Sequence, residues 1–72
     1  MARQIAIRGE TICLGQLLKL TGAVAGGGDV TRFLADEGVL VNGESEARRG
    51  RQLHPGDIVS VGAEEWHVGA GG

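Results

Sequence analysis

Hydrophobic positions recur at helical spacing in two stretches of the chain, and the first begins after Cys13. Gly22 follows this stretch and suits the left-handed conformation that ends many helices. We predict a first helix over residues 14–21, with Cys13 as a weak N-cap because its side chain is a poor acceptor for backbone amides. Four residues with i, i+3, i+4 and i+7 spacing define its face: Leu14, Leu17, Leu18 and Thr21.

A second helical stripe follows the glycine run at residues 26–28. Asp29 is placed to cap this helix, and Gly38 to end it. We expect Phe33 to lie in the core and Gly26 to form part of a tight turn between the two helices. For Gly27 and Gly28 a second interpretation stays open, in which free backbone amides at the start of the helix attract phosphate. The stripe consists of Val30, Phe33, Leu34 and Glu37.

The remaining hydrophobic residues form short runs typical of strands. Asn42-Gly43 is the strongest hairpin signal, since both residues tolerate positive φ, and a turn is predicted at residues 54–57. We expect residues 44–53 to follow an irregular path or form a short return strand. The order of elements predicts an α+β domain, with a two-helix pair packed on a small, mostly antiparallel sheet. The predicted strands are residues 5–7, 39–41, 58–61 and 66–68.

Length and composition favour a binding module over an enzyme. The chain has 72 residues and a single cysteine, so it can form one domain without an internal disulfide. A core of this size does not easily enclose an active site. We expect one domain over residues 1–68 with a flexible glycine-rich tail at 69–72. We also expect a cytoplasmic protein that does not enter membranes, because the chain has no long apolar run and no signal segment. A monomer is expected.

Charge is unevenly distributed along the chain. The net charge of −2 argues against indiscriminate binding to nucleic acid. However, Arg48, Arg49 and Arg51 lie within four positions, and such a cluster can attract phosphate locally. The alternative is a solvated loop whose arginines pair with Glu44 or Glu46. Both interpretations remain open from the residues alone.

Other candidate chemistry is weaker. The glycine run lacks the Gly-Lys-Ser/Thr ending of a nucleotide-hydrolase loop. His54 and His67 are far apart and have only Cys13 to accompany them, so we expect no metal site. We expect no cofactor. Trp66 is expected to pack at a sheet edge or over the core.

The ordered set of motifs resembles the RNA-binding domain named after ribosomal small-subunit protein S-four, and in particular its short stand-alone members. The resemblance covers residues from about 5 to 68. It is carried by the segments Leu14-Gly15-Gln16-Leu17-Leu18-Lys19, Gly27-Gly28, Phe33-Leu34, Val39-Leu40-Val41-Asn42-Gly43-Glu44, Arg48-Arg49-Gly50-Arg51-Gln52-Leu53 and Gly56-Asp57.

The resemblance implies a helical pair on a sheet, the alpha-L RNA-binding motif, and binding of structured RNA such as ribosomal or transfer RNA. A ribosome or a ribosomal assembly intermediate would then be the partner. The chain departs from the family pattern at Thr31, where short members often have Lys, and at Cys13, where they often have Thr. The residues implicated in RNA contact are Lys19, Gly27, Gly28, Arg32, Asn42, Gly43, Arg48, Arg49 and Arg51.

Two other functional classes compete with RNA binding. The C-terminal Gly71-Gly72 and the segment Val41–Glu44 also resemble the ubiquitin-like sulfur carriers, in which the terminal diglycine is adenylated and loaded with sulfur. We rank this alternative second, because such carriers do not ordinarily have an Arg-Arg-Gly-Arg segment after the hairpin. The third class is a protein-interaction module that uses an exposed sheet edge.

Overall fold

The computed structural model describes residues 2–24 and 29–70, which form two short helices packed on one face of a sheet. None of the described helices is long and apolar enough to cross a membrane. The elements are β1 (Ala2–Ile7), β2 (Ile12–Cys13), α1 (Leu14–Leu20), α2 (Val30–Glu37), β3 (Leu40–Val41), β4 (Glu44–Ser45), β5 (Gln52–Leu53), β6 (Ile58–Val61) and β7 (Glu64–Ala70).

The main sheet has five strands in the order β1-β7-β6-β3-β4. The β7–β6, β6–β3 and β3–β4 pairs are antiparallel, whereas β1 pairs in parallel with β7 and places Arg3 opposite Trp66. The predicted α+β class with a mostly antiparallel sheet is therefore confirmed. The parallel pairing of the two outermost segments of the chain was not predicted.

A second sheet, of two strands, positions the candidate site. β2 pairs antiparallel with β5, with Ile12 opposite Leu53 and Cys13 opposite Gln52. Because α1 starts directly after β2, this pairing fixes the start of the helix beside the segment that contains the three clustered arginines. The predicted return strand in residues 44–53 is thus two short strands, each in a different sheet.

Both predicted helices form with bounds close to those expected. Asp29 caps α2 by accepting a hydrogen bond of 3.1 Å from the Arg32 amide, and Gly38 ends it at a φ of 68°. The Asn42-Gly43 hairpin is confirmed, with φ values of 53° and 84°. The glycine run at 26–28 lies outside the described residues.

The core lies between the helix pair and the inner face of the main sheet. Three leucines of α1 are fully buried, and each contributes roughly 1.5–3 kcal/mol of hydrophobic stabilisation relative to an exposed position. Phe33, expected to be a core residue, is only partly buried at the edge of this cluster, as is Trp66. The core residues are Ile7, Leu14, Leu17, Leu18, Val24, Val30, Leu34, Val39, Val41, Leu53, Val59 and Val68.

β7 extends two residues beyond the expected domain boundary at residue 68. Gly69 and Ala70 belong to this strand and pair with Ala6 and Ile7 of β1. The predicted flexible tail therefore does not begin at Gly69, because the parallel pairing continues to the end of β1. Residues 71–72 lie outside the described part of the chain.

Candidate nucleic-acid interface

The three clustered arginines lie on a loop whose backbone is bonded to the first turn of α1. We call residues 46–51 the arginine loop. The Leu14 amide donates to the Arg51 carbonyl, and the Gly15 amide donates to the Arg49 carbonyl, both at 2.9 Å. These carbonyls satisfy amides that a helix start leaves without intrahelical partners. Cys13 makes no side-chain capping bond, so the loop supplies the cap that the sequence lacks.

Gly15 allows the loop to approach the helix closely. A Cβ atom built at this position would lie 3.3 Å from the Arg49 carbonyl oxygen and 3.3 Å from Cγ1 of Val30. Such distances are tighter than ordinary van der Waals contacts. Three segments therefore meet at a residue without a side chain: the start of α1, the start of α2 and the arginine loop.

Glu46 is a buried carboxylate that binds two of the three arginines. Its side chain is 8% exposed. Oε1 accepts from Arg48 Nε at 2.9 Å and from the Arg48 amide at 3.1 Å, while Oε2 accepts from Arg48 Nη2 at 3.3 Å and Arg51 Nη1 at 2.8 Å. These bonds, those of Arg48 foremost, lower the pKa of Glu46 from 4.5 to about 2. The same pairing raises the pKa of Arg48.

The arginine cluster is therefore not three free cations, as the RNA-binding interpretation of the sequence expected. Arg48 and Arg51 share Glu46, and the trio formed by these two arginines and the glutamate has one net positive charge. The pairing alternative correctly named Glu46. The arginines nevertheless keep access to solvent, because the side chain of Arg48 is 76% exposed and that of Arg51 is 33% exposed.

Arg49 lies apart from this trio and faces α1. Together with Lys19 it lines a cleft of about 320 Å³, which we call the basic cleft. Neither cation forms an ion pair within residues 2–24 and 29–70. Among the described residues that line the cleft there is no carboxylate. The lining residues are Cys13, Gly15, Gln16, Lys19, Val30, Arg49 and Gly50.

The structure separates Arg32 from these residues. Arg32 is not among the residues that line the basic cleft, and its Nε lies 3.6 Å from Oδ2 of Asp36, one helical turn along α2. Gly27 and Gly28, also expected at the interface, lie outside the described residues. The cleft does reach the first residue of α2, Val30, which follows shortly after that glycine run.

Asn42 and Gly43 form the turn between β3 and β4, and the Asn42 side chain bonds within the protein. Its Nδ2 donates to Oδ1 of Asp57 at 3.1 Å, and its Oδ1 accepts from the Ile58 amide at 2.8 Å. Burial alone would raise the pKa of Asp57, but hydrogen bonds from the His54 backbone and from Asn42 outweigh it and hold the pKa below its usual value. Asn42 thus joins two turns of the sheet.

Sequence reasoning did not identify the burial of Glu46 or the close approach of the loop to Gly15. Since Leu40 pairs with Ser45, Glu46 falls opposite Val39, and its amide donates to the Val39 carbonyl at 2.9 Å. Val39 is fully buried, but Val41 is buried as well and its partner Glu44 is exposed, so this register alone does not mark Glu46 as buried. For Gly15, no pattern in the sequence marks the close approach of a loop from 34 positions further along.

Comparison with known proteins agrees with the resemblance seen in the sequence. A family model described as the S4 domain matches residues 5–69. The chain is also 48% identical over 61 residues to a Bacillus subtilis (strain 168) protein named probable ribosome maturation protein RlbA. That alignment covers 85% of this chain and 86% of the relative. These matches confirm the resemblance to the S-four RNA-binding domain, and not the resemblance to the sulfur carriers.

Proposed function

The chain belongs to the S4 domain family, and from that premise we propose that it is a non-catalytic binder of structured RNA. The name of its Bacillus subtilis relative points to ribosome maturation. We accordingly propose ribosomal RNA, within the ribosome or an assembly intermediate, as the partner. Action in the cytoplasm as a monomer is part of the same proposal.

The observation that carries the proposal is the basic cleft beside the arginine loop. Lys19 and Arg49 line it without a described carboxylate partner, and the exposed guanidinium of Arg48 belongs to the same loop. Lysine and arginine bind phosphate oxygens strongly, and arginine also stacks on bases. A local cluster of this kind attracts an RNA backbone although the whole chain has a net charge of −2.

Preorganisation strengthens this argument. When a disordered loop binds RNA, its backbone and side chains must become ordered, and this weakens binding. The cost in binding free energy is roughly 0.5–1.5 kcal/mol for each long side chain that is immobilised. Here the backbone carbonyls of Arg49 and Arg51 are already bonded to α1. The backbone of the loop is therefore held on α1 before RNA binds, which favours recognition of a folded RNA shape over an extended strand.

The remaining candidate residues divide into two groups. We propose that Gly27 and Gly28 also contact RNA, and that Arg32 makes a peripheral contact. Asn42 and Gly43 are better explained by the hairpin, since the Asn42 amide already bonds to Asp57 and Ile58. We therefore propose no RNA contact for the Asn42 side chain.

Crosslinking in cells tests the proposal. The full chain, carrying an affinity tag, is irradiated in living cells and purified under denaturing conditions, and the attached RNA is sequenced. We expect enrichment of defined sites in ribosomal RNA, and their loss in a K19A/R49A variant produced at the same level. Crosslinks no more abundant than those of an unrelated tagged protein of similar size would contradict RNA binding.

A further inference from the structure

We infer that Glu46 is a positioning residue for RNA binding, which holds Arg48 and Arg51 in the orientation that contacts the RNA backbone. The inference rests on the proposed function and goes beyond it by assigning a role to an acidic residue within a basic site. A carboxylate there lowers the positive potential that attracts phosphate. Attraction of phosphate therefore does not account for the presence of Glu46 in this site.

The geometry of Glu46 differs from that of an incidental surface ion pair. Both carboxylate oxygens are used, and they accept from three guanidinium nitrogens and one backbone amide of the same loop. The side chain of Glu46 is buried, whereas Arg48 extends toward solvent and Arg51 is partly exposed. The anion is thus anchored in the protein, and the two cations are held by it.

Arg48 and Arg51 retain hydrogen-bonding capacity for a second anion. A guanidinium has five N–H donors. Arg48 directs two of its five toward Glu46, through Nε and Nη2, and Arg51 directs one through Nη1. The three other donors of Arg48, whose side chain is 76% exposed, are left for phosphate oxygens, whereas Arg51 is only 33% exposed and also lies close enough to Asp57 to help lower the pKa of that carboxyl. Glu46 therefore restricts the motion of the two guanidinium groups without occupying all of their N–H donors.

Two isosteric substitutions separate positioning from charge. E46Q and E44Q each remove one negative charge from the same hairpin, but Glu44 is exposed and lies at the edge strand β4. If charge alone mattered, both variants would bind RNA more tightly. Positioning predicts that E46Q binds about 5- to 10-fold more weakly, since two arginine side chains must be ordered on binding, while E44Q binds as tightly as the parent or more so.

The measurement is fluorescence anisotropy with a fluorescein-labelled RNA stem-loop at fixed salt, and single-stranded poly(U) serves as the comparison RNA. Circular dichroism and Trp66 fluorescence check that each variant is folded at the assay temperature. Weaker binding by folded E46Q, together with unweakened binding by E44Q, supports the inference. Binding by E46Q as tight as that of the parent, or tighter, overturns it.

A second variant covers the case in which E46Q does not fold. R48K/R51K keeps the charge of the loop but replaces the planar forks that Glu46 holds with single ammonium groups. We expect a loss of affinity of about the same size, and no loss for R8K, which makes the same exchange at an exposed position outside the loop. Unchanged affinity of R48K/R51K overturns the inference.

RNA binding by the parent chain distinguishes a failure of the proposed function from a failure of the role proposed for Glu46. If the parent binds the stem-loop no better than an unrelated acidic protein, the proposed function fails, and the inference fails with it. If the parent binds the stem-loop but neither E46Q nor R48K/R51K is weakened, RNA binding stands and only the role of Glu46 is lost.

Discussion

The amide of Gly15 donates a 2.9 Å hydrogen bond to the carbonyl of Arg49, across a gap in which a Cβ atom would lie 3.3 Å from that oxygen. This contact joins the first turn of α1 to the arginine loop. Because the loop is bonded at this residue, the stability of the fold and the arrangement of the candidate interface depend on the same glycine.

Replacing Gly15 with Val should therefore lower the stability of the fold and disturb the arrangement of the arginine loop. The added side chain meets the Arg49 carbonyl and Cγ1 of Val30, and overpacking of this kind typically costs about 1–3 kcal/mol. G50V is the matched control, because a Cβ atom built at Gly50 has nothing within 4 Å. Thermal unfolding followed by circular dichroism measures the difference. Equal melting temperatures for G15V and the parent would show that the loop is not packed tightly there.

Asn42 is expected to act through stability and not through RNA. N42A removes hydrogen bonds to Asp57 and Ile58 and should lower the unfolding free energy by about 1–3 kcal/mol. N42G, which keeps the tolerance for positive φ, isolates the side-chain contribution. RNA affinity, measured well below the melting temperature, should equal that of the parent. A selective loss of affinity in a fully folded N42A protein would instead assign the amide to the interface.

The face of α2 can be tested by comparing two adjacent residues. Leu34 is 2% exposed, whereas Phe33 is only partly buried, on the rim of a groove that it shares with Trp66. L34A should cost about 2–5 kcal/mol, and F33A should cost less than the 3–5 kcal/mol typical of a fully buried phenylalanine. Chemical denaturation of the two variants measures the order. A larger loss for F33A would mean that the helix is rotated from the orientation described.

The stability of the protein at acidic pH should depend on the ionisation of Glu46. Its pKa falls from 4.5 to about 2 in the folded chain, so the ionised carboxylate stabilises the fold fully above pH 4.5. This contribution is lost as the pH falls from 4.5 toward 2. The stability advantage of the parent over E46Q should therefore shrink across that window. Trp66 fluorescence during denaturation at several pH values measures it, and an advantage independent of pH would contradict the assignment.

Local features of the fold could be predicted from the sequence, because the residues that specify them lie close together. Gly22 and Gly38 mark the helix ends, Asp29 caps α2, and Asn42-Gly43 forms the hairpin turn as expected. The parallel pairing of β1 with β7 could not be predicted in this way. It joins segments about 60 residues apart, and nothing in either short run selects the other as its partner.

The site was predictable in composition but not in arrangement. Three arginines within four positions indicated a basic surface, yet only the fold shows that Arg49 faces Lys19 while Arg48 and Arg51 share Glu46. Removing all three arginine side chains would therefore leave the buried Glu46 carboxylate with the backbone amide of residue 48 but without a cation, a change that destabilises proteins strongly. Loss of binding in such a variant would not separate contact from folding.

The most direct test of RNA binding through the basic cleft uses K19A/R49A, which leaves Glu46 and both its partners intact. We predict that the slope of log affinity against log salt, from about 50 to 200 mM, becomes shallower by roughly 1.5–2 units, because two phosphate contacts are lost. R8A, which removes an exposed arginine outside the cleft, should keep the parent slope. A folded K19A/R49A protein with the parent slope and affinity would contradict the account.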